Sequence, residues 1–249
     1  MQISEIYRCL QMEGLLLGTP SILLRASLCN LKCHFRNGGL CDSSFTWDPK
    51  NGKEMDVQQV YDEVVKLAMQ EKEKINFIIY SGGEPTIQKE FPELCQAFLL
   101  SGFHLTVETN GTKYVEIPTK VGPKNQQRDL TANTLFSISP KLNSSVPVGT
   151  EFEKSHDKAR INLVVLEALL KRYPSYLKFV ITGDDDIKEV LNLKDKLKVP
   201  NHRIFLMPEG TNRDIILERS KSIIDMCLKY NFRFSPREHV NIFGNMRGV

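Results

Sequence analysis

The sequence lacks an apolar run long enough to cross a membrane, because no stretch of about 18 consecutive apolar residues occurs in it. Its first residues, Met1-Gln2-Ile3-Ser4-Glu5, also lack the basic region and the long apolar region of a secretory signal peptide. These two absences predict a cytoplasmic protein that does not associate with a membrane.

The sequence also has little excess charge of either sign. Its 33 Lys and Arg residues against 30 Asp and Glu residues leave a net charge of +3, and no basic block stands out. Trp47 is the single tryptophan, and the tyrosines and lysines show none of the interleaving that is typical of nucleic-acid-binding surfaces. We therefore expect no nucleic acid partner, and any anionic ligand has to be bound by individually placed side chains.

Cysteines are few as well. Six in 249 residues are too sparse for a fold held by disulfides, and a reducing compartment would keep them as thiols or metal thiolates. Three lie within thirteen residues, namely Cys29, Cys33 and Cys41. The remaining cysteines and most histidines are predicted to be packing or surface residues: Cys9, Cys95, Cys227, His34, His104, His156 and His202.

Short β-branched or aromatic runs alternate with helical patterns, which favours a parallel sheet or barrel with helices outside it. Helical periodicity begins after a predicted Asp56 cap, recurs through Ile161 and Leu169, and begins again after Thr211 or Asn212. We expect an α/β fold, a partial (incomplete) β/α TIM-like barrel of six to seven strands, in a single domain of residues 1–249. Ligands should lie at the C-terminal ends of its strands. The predicted strands are 21–28, 75–80, 103–108, 134–139, 176–181, 202–207 and, more weakly, 232–235.

Two long stretches, 32–53 and 113–133, interrupt this alternation. Both are too long to be simple turns, and long loops in compact domains are usually functional or mobile.

The clustered cysteines follow the first predicted strand, in Cys29-Asn30-Leu31-Lys32-Cys33-His34-Phe35-Arg36-Asn37-Gly38-Gly39-Leu40-Cys41-Asp42. A loop can curl three thiolates toward one metal centre, and its glycines relieve the backbone strain of doing so. A structural zinc would need a fourth ligand, which only His34 or a distant group could supply. An iron–sulfur cluster on three cysteines would leave one iron open for a substrate or cofactor. By themselves these residues leave zinc, a cluster and a metal-free loop open.

A second motif, Ser81-Gly82-Gly83-Glu84-Pro85, directly follows a predicted buried strand. Paired glycines at a strand end let the backbone approach a ligand closely, Glu84 could accept a hydrogen bond from an ammonium group, and Pro85 stiffens the exit. The alternative is a tight turn that caps the next helix. Taken alone, this motif favours the turn.

Together, the two motifs resemble the radical S-adenosylmethionine (SAM) superfamily. Across the whole chain the sequence is similar to the 7-carboxy-7-deazaguanine synthases of the queuosine pathway. The matching stretches occur in one order and are Glu5-Ile6, Leu10-Gln11-Met12-Glu13-Gly14, Gly18-Thr19-Pro20-Ser21, Arg25, Cys29-Asn30-Leu31-Lys32-Cys33, Cys41-Asp42, Ser81-Gly82-Gly83-Glu84-Pro85, Glu108-Thr109-Asn110-Gly111, Ser139-Pro140-Lys141, Met207-Pro208-Glu209-Gly210, Arg233-Phe234-Ser235-Pro236-Arg237-Glu238-His239-Val240, Gly244-Asn245 and Arg247-Gly248-Val249.

The resemblance implies a radical SAM barrel that converts 6-carboxy-5,6,7,8-tetrahydropterin into 7-carboxy-7-deazaguanine and ammonia, a carbon–nitrogen lyase reaction. It implies a 4Fe-4S cluster on Cys29, Cys33 and Cys41, with SAM on the open iron. A 5′-deoxyadenosyl radical then does the chemistry, without a protein acid or base. It also implies Mg²⁺ at the substrate carboxylate, held by Ser43, an external electron donor such as flavodoxin or ferredoxin, and a homodimer.

The resemblance further assigns two groups of residues. Those implied to bind the pterin are Leu10, Gln11, Met12, Glu13, Arg25, Ser81, His239 and Val249, the last through the C-terminal carboxylate, so that a C-terminal tag should not be tolerated. Those implied to bind SAM are Leu40, Cys41, Asp42, Gly83, Glu84, Ser139, Pro140, Lys141, Met207, Pro208, Glu209 and Gly210.

The sequence departs from the family pattern at three places. Seven residues separate Cys33 from Cys41, where the family usually has two, so we infer an insertion within residues 35–40; the alternative is a degraded site without a cluster. Met12 stands where the family usually has Gly, and Ser43 where it usually has Thr. Two other functions remain open: an activase that generates a glycyl radical on a partner enzyme, and a zinc-stabilised binding module.

Overall fold

The computed structural model describes residues 1–36, 39–123, 126–244 and 246–248. Within these ranges, none of the helices combines the length and the apolar composition needed to span a bilayer. The described residues form eleven strands and seven α-helices. The strands are β1 (Gln2–Leu10), β2 (Pro20–Ala26), β3 (Lys53–Glu54), β4 (Phe77–Gly82), β5 (His104–Thr109), β6 (Lys120–Val121), β7 (Arg128–Asp129), β8 (Thr134–Ile138), β9 (Ser175–Ile181), β10 (Ile204–Pro208) and β11 (Arg233–Phe234). The helices are α1 (Val57–Ala68), α2 (Phe91–Leu100), α3 (Glu153–Ala159), α4 (Leu163–Arg172), α5 (Asp186–Leu197), α6 (Arg213–Tyr230) and α7 (Glu238–Phe243).

Nine of these strands form one sheet, in the order β11-β10-β9-β8-β5-β4-β2-β1-β3. From β2 to β11 every neighbouring pair is parallel, and these seven parallel strands are the seven that the sequence predicts. Strands β11 and β3 are separate edges, so the sheet is open. The predicted α/β architecture, an incomplete barrel, is therefore confirmed.

The antiparallel strands β1 and β3, which extend the sheet beyond β2, are not predicted from the sequence. Strand β1 points Glu5, Tyr7 and Cys9 into a cavity. Its inward face is thus largely polar, and the apolar alternation that marks a half-buried strand is missing. Strand β2 ends two residues earlier than predicted, because the chain turns toward Leu28, whose φ of 71° is left-handed.

The two faces of the parallel sheet have different neighbours. The outer face packs on the helices and carries the main apolar core, in which a fully buried Leu or Ile contributes about 1.5–3 kcal/mol. The core side chains from the strands include Ile22, Leu24, Ile78, Tyr80, Leu105, Val107, Phe136, Ile138, Leu177, Phe179, Ile181, Ile204 and Leu206. The inner face lines the cavity instead, with alternate residues of the same strands: Leu23, Arg25, Ile79, Ser81, Glu108, Ser137, Lys178, Val180 and Met207.

The two long interruptions differ in what they contribute. Residues 32–53 contain Cys33 and Cys41 of the cysteine motif and two short 3-10 helices, Ser44–Trp47 and Pro49–Asn51, and several of these residues line the cavity. Residues 113–133 contain the β6–β7 hairpin, and none of their described members lines that cavity.

Helix α1 begins at the predicted cap. The Asp56 carboxylate accepts a hydrogen bond from the Gln59 backbone N–H at 2.8 Å, and the Gln59 side chain accepts one from the Asp56 N–H at 3.0 Å. Val60, Val64 and Ala68 then follow at helical spacing and are buried. The capping box and the apolar stripe together explain why the helix forms here.

We expect Asp56→Ala to lower the free energy of unfolding by about 1 kcal/mol, because the Gln59 backbone N–H loses its acceptor. Urea unfolding followed by circular dichroism measures this change. Asp62→Ala is the control, since it lies on the same helix away from the cap and Ala is the better helix former. Equal losses in the two variants would contradict the capping role.

Candidate active site

The cavity of about 260 Å³ lies on the inner face of the barrel, at the C-terminal ends of the parallel strands. It is closed on one side by the cysteine loop and on the other by residues that follow β11. Predicted site residues that line it are Leu10, Gln11, Met12, Glu13, Arg25, Cys29, Cys33, Cys41, Asp42, Ser43, Ser81, Gly83, Ser139, Lys141, Met207, Glu209 and His239. Residues from distant parts of the chain therefore meet at one site.

Other predicted site residues do not line this cavity. Leu40 is half exposed, and Glu84 is fully buried behind the cavity wall. Pro140, Pro208 and Gly210 are neighbours of lining residues without lining the cavity themselves. Val249 lies outside the described residues, so its implied role stays a prediction.

The enlarged cysteine loop, residues 29–43, folds back on itself as a small hairpin. His34 and Leu40 form an antiparallel bridge, and the Phe35 N–H donates to the Gly39 carbonyl at 3.0 Å. At the base of this hairpin the Cys41 N–H donates to the Cys33 carbonyl at 3.1 Å. The third cysteine therefore lies beside the second despite the long spacing between them in the chain.

The three thiols lie in apolar surroundings that also contain Leu31 and Phe35. Burial raises the pKa of Cys29 to about 12, with Glu84 adding to the shift. Burial likewise raises the pKa of Cys33 to about 11 and the pKa of Cys41 well above its usual value. The free thiols are therefore protonated at neutral pH, and binding a metal would displace those protons.

The spacing of possible ligands bears on the kind of metal centre. Across the described residues, no three His, Cys, Asp or Glu side chains converge closely enough to hold a single ion. A mononuclear zinc site needs such convergence. In an iron–sulfur cluster each cysteine binds a different iron, so its ligands stand further apart and one iron is left open. The donor set fits a cluster on three cysteines.

The glycines at the end of β4, Gly82 and Gly83, are required by a close backbone approach. The Gly83 N–H donates to the Ala26 carbonyl at 2.9 Å, and a Cβ at Gly83 would overlap the Leu28 carbonyl. This contact draws the end of β4 against the residues that lead into Cys29. The Gly-Gly pair therefore serves to seat the cysteine loop on the strand end.

Glu84 has a different environment from the one expected. Its carboxylate accepts hydrogen bonds from Thr86 N–H at 3.1 Å, Thr86 Oγ1 at 2.6 Å, Thr109 Oγ1 at 2.7 Å and Asn110 N–H at 2.6 Å. These donors tie the end of β4 to the end of β5 and occupy both carboxylate oxygens. In this structure Glu84 presents no acceptor to the cavity.

Two carboxylates and a lysine form an ion cluster on the opposite wall. Lys178 Nζ donates to Glu13 Oε2 at 2.5 Å and to Glu108 Oε2 at 3.2 Å, and the Lys178 side chain is only 3% exposed. Arg237 contacts Glu13, Asp42 and the Gly210 carbonyl, which joins three segments of the cavity wall. His239 Nδ1 lies 3.8 Å from Glu13 Oε1.

These cations determine the charge state of Glu13. Burial alone would raise the pKa of its carboxyl, but Lys178, followed by Arg237 and His239, lowers that pKa to about 2. Burial lowers the pKa of His239, against the pull of Glu13. The cavity therefore holds a carboxylate that stays ionised and can accept hydrogen bonds from a ligand.

A second ion cluster surrounds Arg25. Arg25 Nε donates to Glu5 Oε2 at 2.7 Å, and its Nη1 donates to Ser43 Oγ at 3.2 Å. Arg247 donates to the other Glu5 oxygen at 3.1 Å and stacks 3.7 Å from the centre of the Phe45 ring. The Arg25 guanidinium thus lies next to the hydroxyl of Ser43, and residues near the C-terminus close over both.

Sequence reasoning missed several residues of this site, including Glu5, Tyr7 and the four that follow. Lys178, Glu108 and Arg237 line the cavity, and Cys9, which was predicted to be a core residue, lines it too. Signals for the three charged residues were present: Glu108 and Arg237 stand in stretches that match the family, and Lys178 interrupts an otherwise apolar strand. For Cys9 the sequence contains no such signal.

Comparisons with known proteins agree with this geometry. The family model of the Radical SAM superfamily matches residues 25–121. A 7-carboxy-7-deazaguanine synthase of Halobacterium salinarum is 32% identical over 98% of this chain and 91% of its own length. One of Pyrobaculum aerophilum is 28% identical over 100% of this chain and 97% of its own length.

Solved structures show the same fold. The crystal structure of QueE from Escherichia coli has a TM-score of 0.68 at 22% identity, and covers 94% of this chain and 92% of that one. A TYW1 structure with a lysine-pyruvate adduct has a TM-score of 0.51 at 17% identity, and covers 82% of this chain and 73% of that one. Because the relative from Halobacterium salinarum shares 32% of its residues over nearly the full length of both chains, the chain belongs to the 7-carboxy-7-deazaguanine synthase family of the radical SAM superfamily.

Proposed function

We propose that this chain is a 7-carboxy-7-deazaguanine synthase, which contracts the ring of 6-carboxy-5,6,7,8-tetrahydropterin and releases ammonia. One observation carries the proposal. A single cavity brings three cysteine thiols within reach of a carboxylate cluster, Glu13 and Glu108, and of a guanidinium, Arg25. Residues suited to a cluster and residues suited to a polar, anionic small molecule thus face the same space.

Membership in the radical SAM family implies a 4Fe-4S cluster and SAM. We propose Cys29, Cys33 and Cys41 as the cluster ligands. When bound, the cluster and SAM supply the one-electron chemistry that removes a hydrogen atom from the substrate.

The opposite wall is proposed to hold the pterin. The amino-pyrimidine edge of a pterin carries N–H donors, and the ionised Glu13 and the adjacent Glu108 can accept from them. Gln11 orients this wall, since its side-chain oxygen accepts from the Glu13 N–H at 3.1 Å. Arg25 is proposed to bind the substrate carboxylate, which would compete with Glu5 for the guanidinium.

Product formation tests this proposal. The full chain is reconstituted anaerobically with iron and sulfide, reduced, and incubated with SAM and the carboxy-tetrahydropterin. We expect 7-carboxy-7-deazaguanine and ammonia in equal amounts. An intact cluster that cleaves SAM without yielding the deazaguanine would overturn the assignment, and would favour the glycyl-radical activase instead.

Ser43 is proposed to hold Mg²⁺ at the substrate carboxylate. Its hydroxyl oxygen contacts Arg25, and Asp42 Oδ1 lies 3.1 Å away, so hard oxygen donors meet at the place where that carboxylate would bind. We expect Ser43→Ala to raise the Mg²⁺ concentration needed for half-maximal activity by at least about tenfold.

A Mg²⁺ titration of activity measures this shift, with Ser44→Ala as the matched control. Ser44 is the next residue and does not line the cavity. If Ser43→Ala shows the same Mg²⁺ dependence as the parent, Ser43 does not bind Mg²⁺.

Further elements rest on the resemblance and on the chemistry. We propose an external electron donor such as flavodoxin or ferredoxin, a homodimer, and a single domain of residues 1–249 in the cytoplasm, where the six free cysteines stay reduced. Val249 is proposed to contact the substrate. The zinc-stabilised module loses its support, because the chain belongs to a family of radical SAM enzymes.

A further inference from the structure

The segment that carries Cys33 is held along both of its edges. On one edge the hairpin contacts bring Cys41 against it. On the other edge three alternate backbone N–H groups point away from the cavity, toward a surface that we call the shelf, formed by Ser144, Ser145 and His156. The His34 N–H donates to the Ser145 carbonyl at 3.0 Å, and the Arg36 N–H donates to the Ser144 carbonyl at 2.8 Å.

The third contact of the shelf is made by a side chain. The N–H of Lys32, the residue before Cys33, donates to His156 Nδ1 at 3.2 Å. His156 is 2% exposed and lies on helix α3, which is more than a hundred residues further along the chain. Leu31, Cys33 and Phe35 alternate with the bonded residues and turn their side chains into the buried cluster of the loop.

The hydrogen bonds around His156 determine which nitrogen carries its proton. The Ser145 hydroxyl donates to the Leu142 carbonyl at 2.7 Å, so its oxygen is left to accept from His156 Nε2, 3.2 Å away. Nδ1 then keeps its lone pair for the Lys32 N–H. Burial, with Arg160 and Lys141 acting in the same direction, lowers the pKa of His156 to about 4, which agrees with a neutral ring.

From these contacts we infer that His156 is a positioning residue for the cluster: through Lys32 it fixes Cys33, and through the Cys33–Cys41 backbone contact it fixes the third ligand. The enlarged loop makes such a support necessary, since each added residue has to be ordered at a cost in conformational entropy. Two residues of the shelf, Ser144 and Ser145, come shortly after Ser139 and Lys141 in the chain. The shelf therefore also connects the cysteine loop to the segment that we propose for SAM binding.

Four reconstituted full-length variants test the inference, which rests on the proposed cluster ligands. His156→Leu removes the acceptor. His156→Asn places an amide oxygen near the position of Nδ1, and His156→Gln extends past it toward Ser145. His202→Leu repeats the first change at an exposed histidine. The readouts are iron and sulfide content, the rate of cluster loss to a chelator, and the electron paramagnetic resonance spectrum of the reduced cluster with and without SAM.

We expect His156→Leu to lose its cluster about tenfold faster than the parent and to show an altered response of the spectrum to SAM. His156→Asn and His202→Leu should keep the parent's rate and spectrum, whereas His156→Gln should resemble His156→Leu. If His156→Leu does not fold, as judged by circular dichroism, the rates of cluster loss in His156→Asn and His156→Gln are compared instead, and a faster loss in His156→Gln supports the inference.

Equal rates in all variants, or equal losses in Asn and Gln, would overturn the inference while leaving the cluster assignment intact. A parent protein that holds no cluster would instead contradict the proposed function.

Discussion

Cys41→Ala is expected to lose its iron and sulfide and, with them, all formation of product. The physical reason is that the cofactor supplies the chemistry, so that a chain without a cluster has no other route to it. Cys41 is also the ligand that the sequence places least securely, because its spacing from Cys33 departs from the family pattern. Iron and sulfide analysis after anaerobic reconstitution, together with an assay for the deazaguanine, measures the effect.

Cys227→Ala is the matched control, since it makes the same chemical change in the main apolar core. It is expected to keep its cluster and to lose only some stability from the smaller side chain. Equal iron in the parent and in Cys41→Ala would mean that Cys41 is not the third ligand. The hairpin that brings Cys41 beside Cys33 would then have a role other than cluster binding.

Lys178→Met is expected to lower the free energy of unfolding by about 3–5 kcal/mol, because two mostly buried carboxylates, 14% and 19% exposed, lose the buried cation that they share. We also expect product formation to fall at least about a hundredfold, since Glu13 and Glu108 would no longer be held in position. Urea unfolding and the product assay measure the two effects. Lys188→Met is the control, because Lys188 is a surface lysine whose side chain is 81% exposed.

The loss in Lys178→Met has a definite pH dependence. In the parent, Glu13 has a folded pKa of about 2 against an ordinary value of 4.5, so its contribution to stability is complete above about pH 4.5 and is lost as the pH falls toward 2. Without Lys178, burial acts on Glu13 with less opposition and its pKa rises. The difference in stability between parent and variant should therefore be largest near neutral pH and shrink on acidification.

Lys178→Arg separates charge from shape. It keeps the cation, so the pH dependence of stability should follow the parent, while the larger guanidinium should impair the fit of the substrate.

A Lys178→Met protein with the parent's stability at neutral pH would show that the ion cluster does not hold Glu13 in its ionised state.

The parallel strands could be predicted from the sequence because a strand covered on both faces has a strong local signature of consecutive apolar residues. Strands β8 and β10 are buried along their whole length, and both were predicted. Strand β1 was missed because its inward residues, among them Glu5 and Cys9, face the cavity rather than the core. The α1 cap could be predicted since a capping box involves only residues three apart.

The kind of site can be predicted from local patterns: three cysteines after the first parallel strand, paired glycines at the end of the next, and a family resemblance along the chain. How these residues act together depends on contacts between distant segments. Glu84 turned out to join two strand ends, and Lys178 to hold two carboxylates from other segments. His156 supports the cysteine loop from a distant helix. Such partners are far apart in the chain, and the low dielectric of the interior gives their contacts their strength, so no local pattern of residues could reveal them.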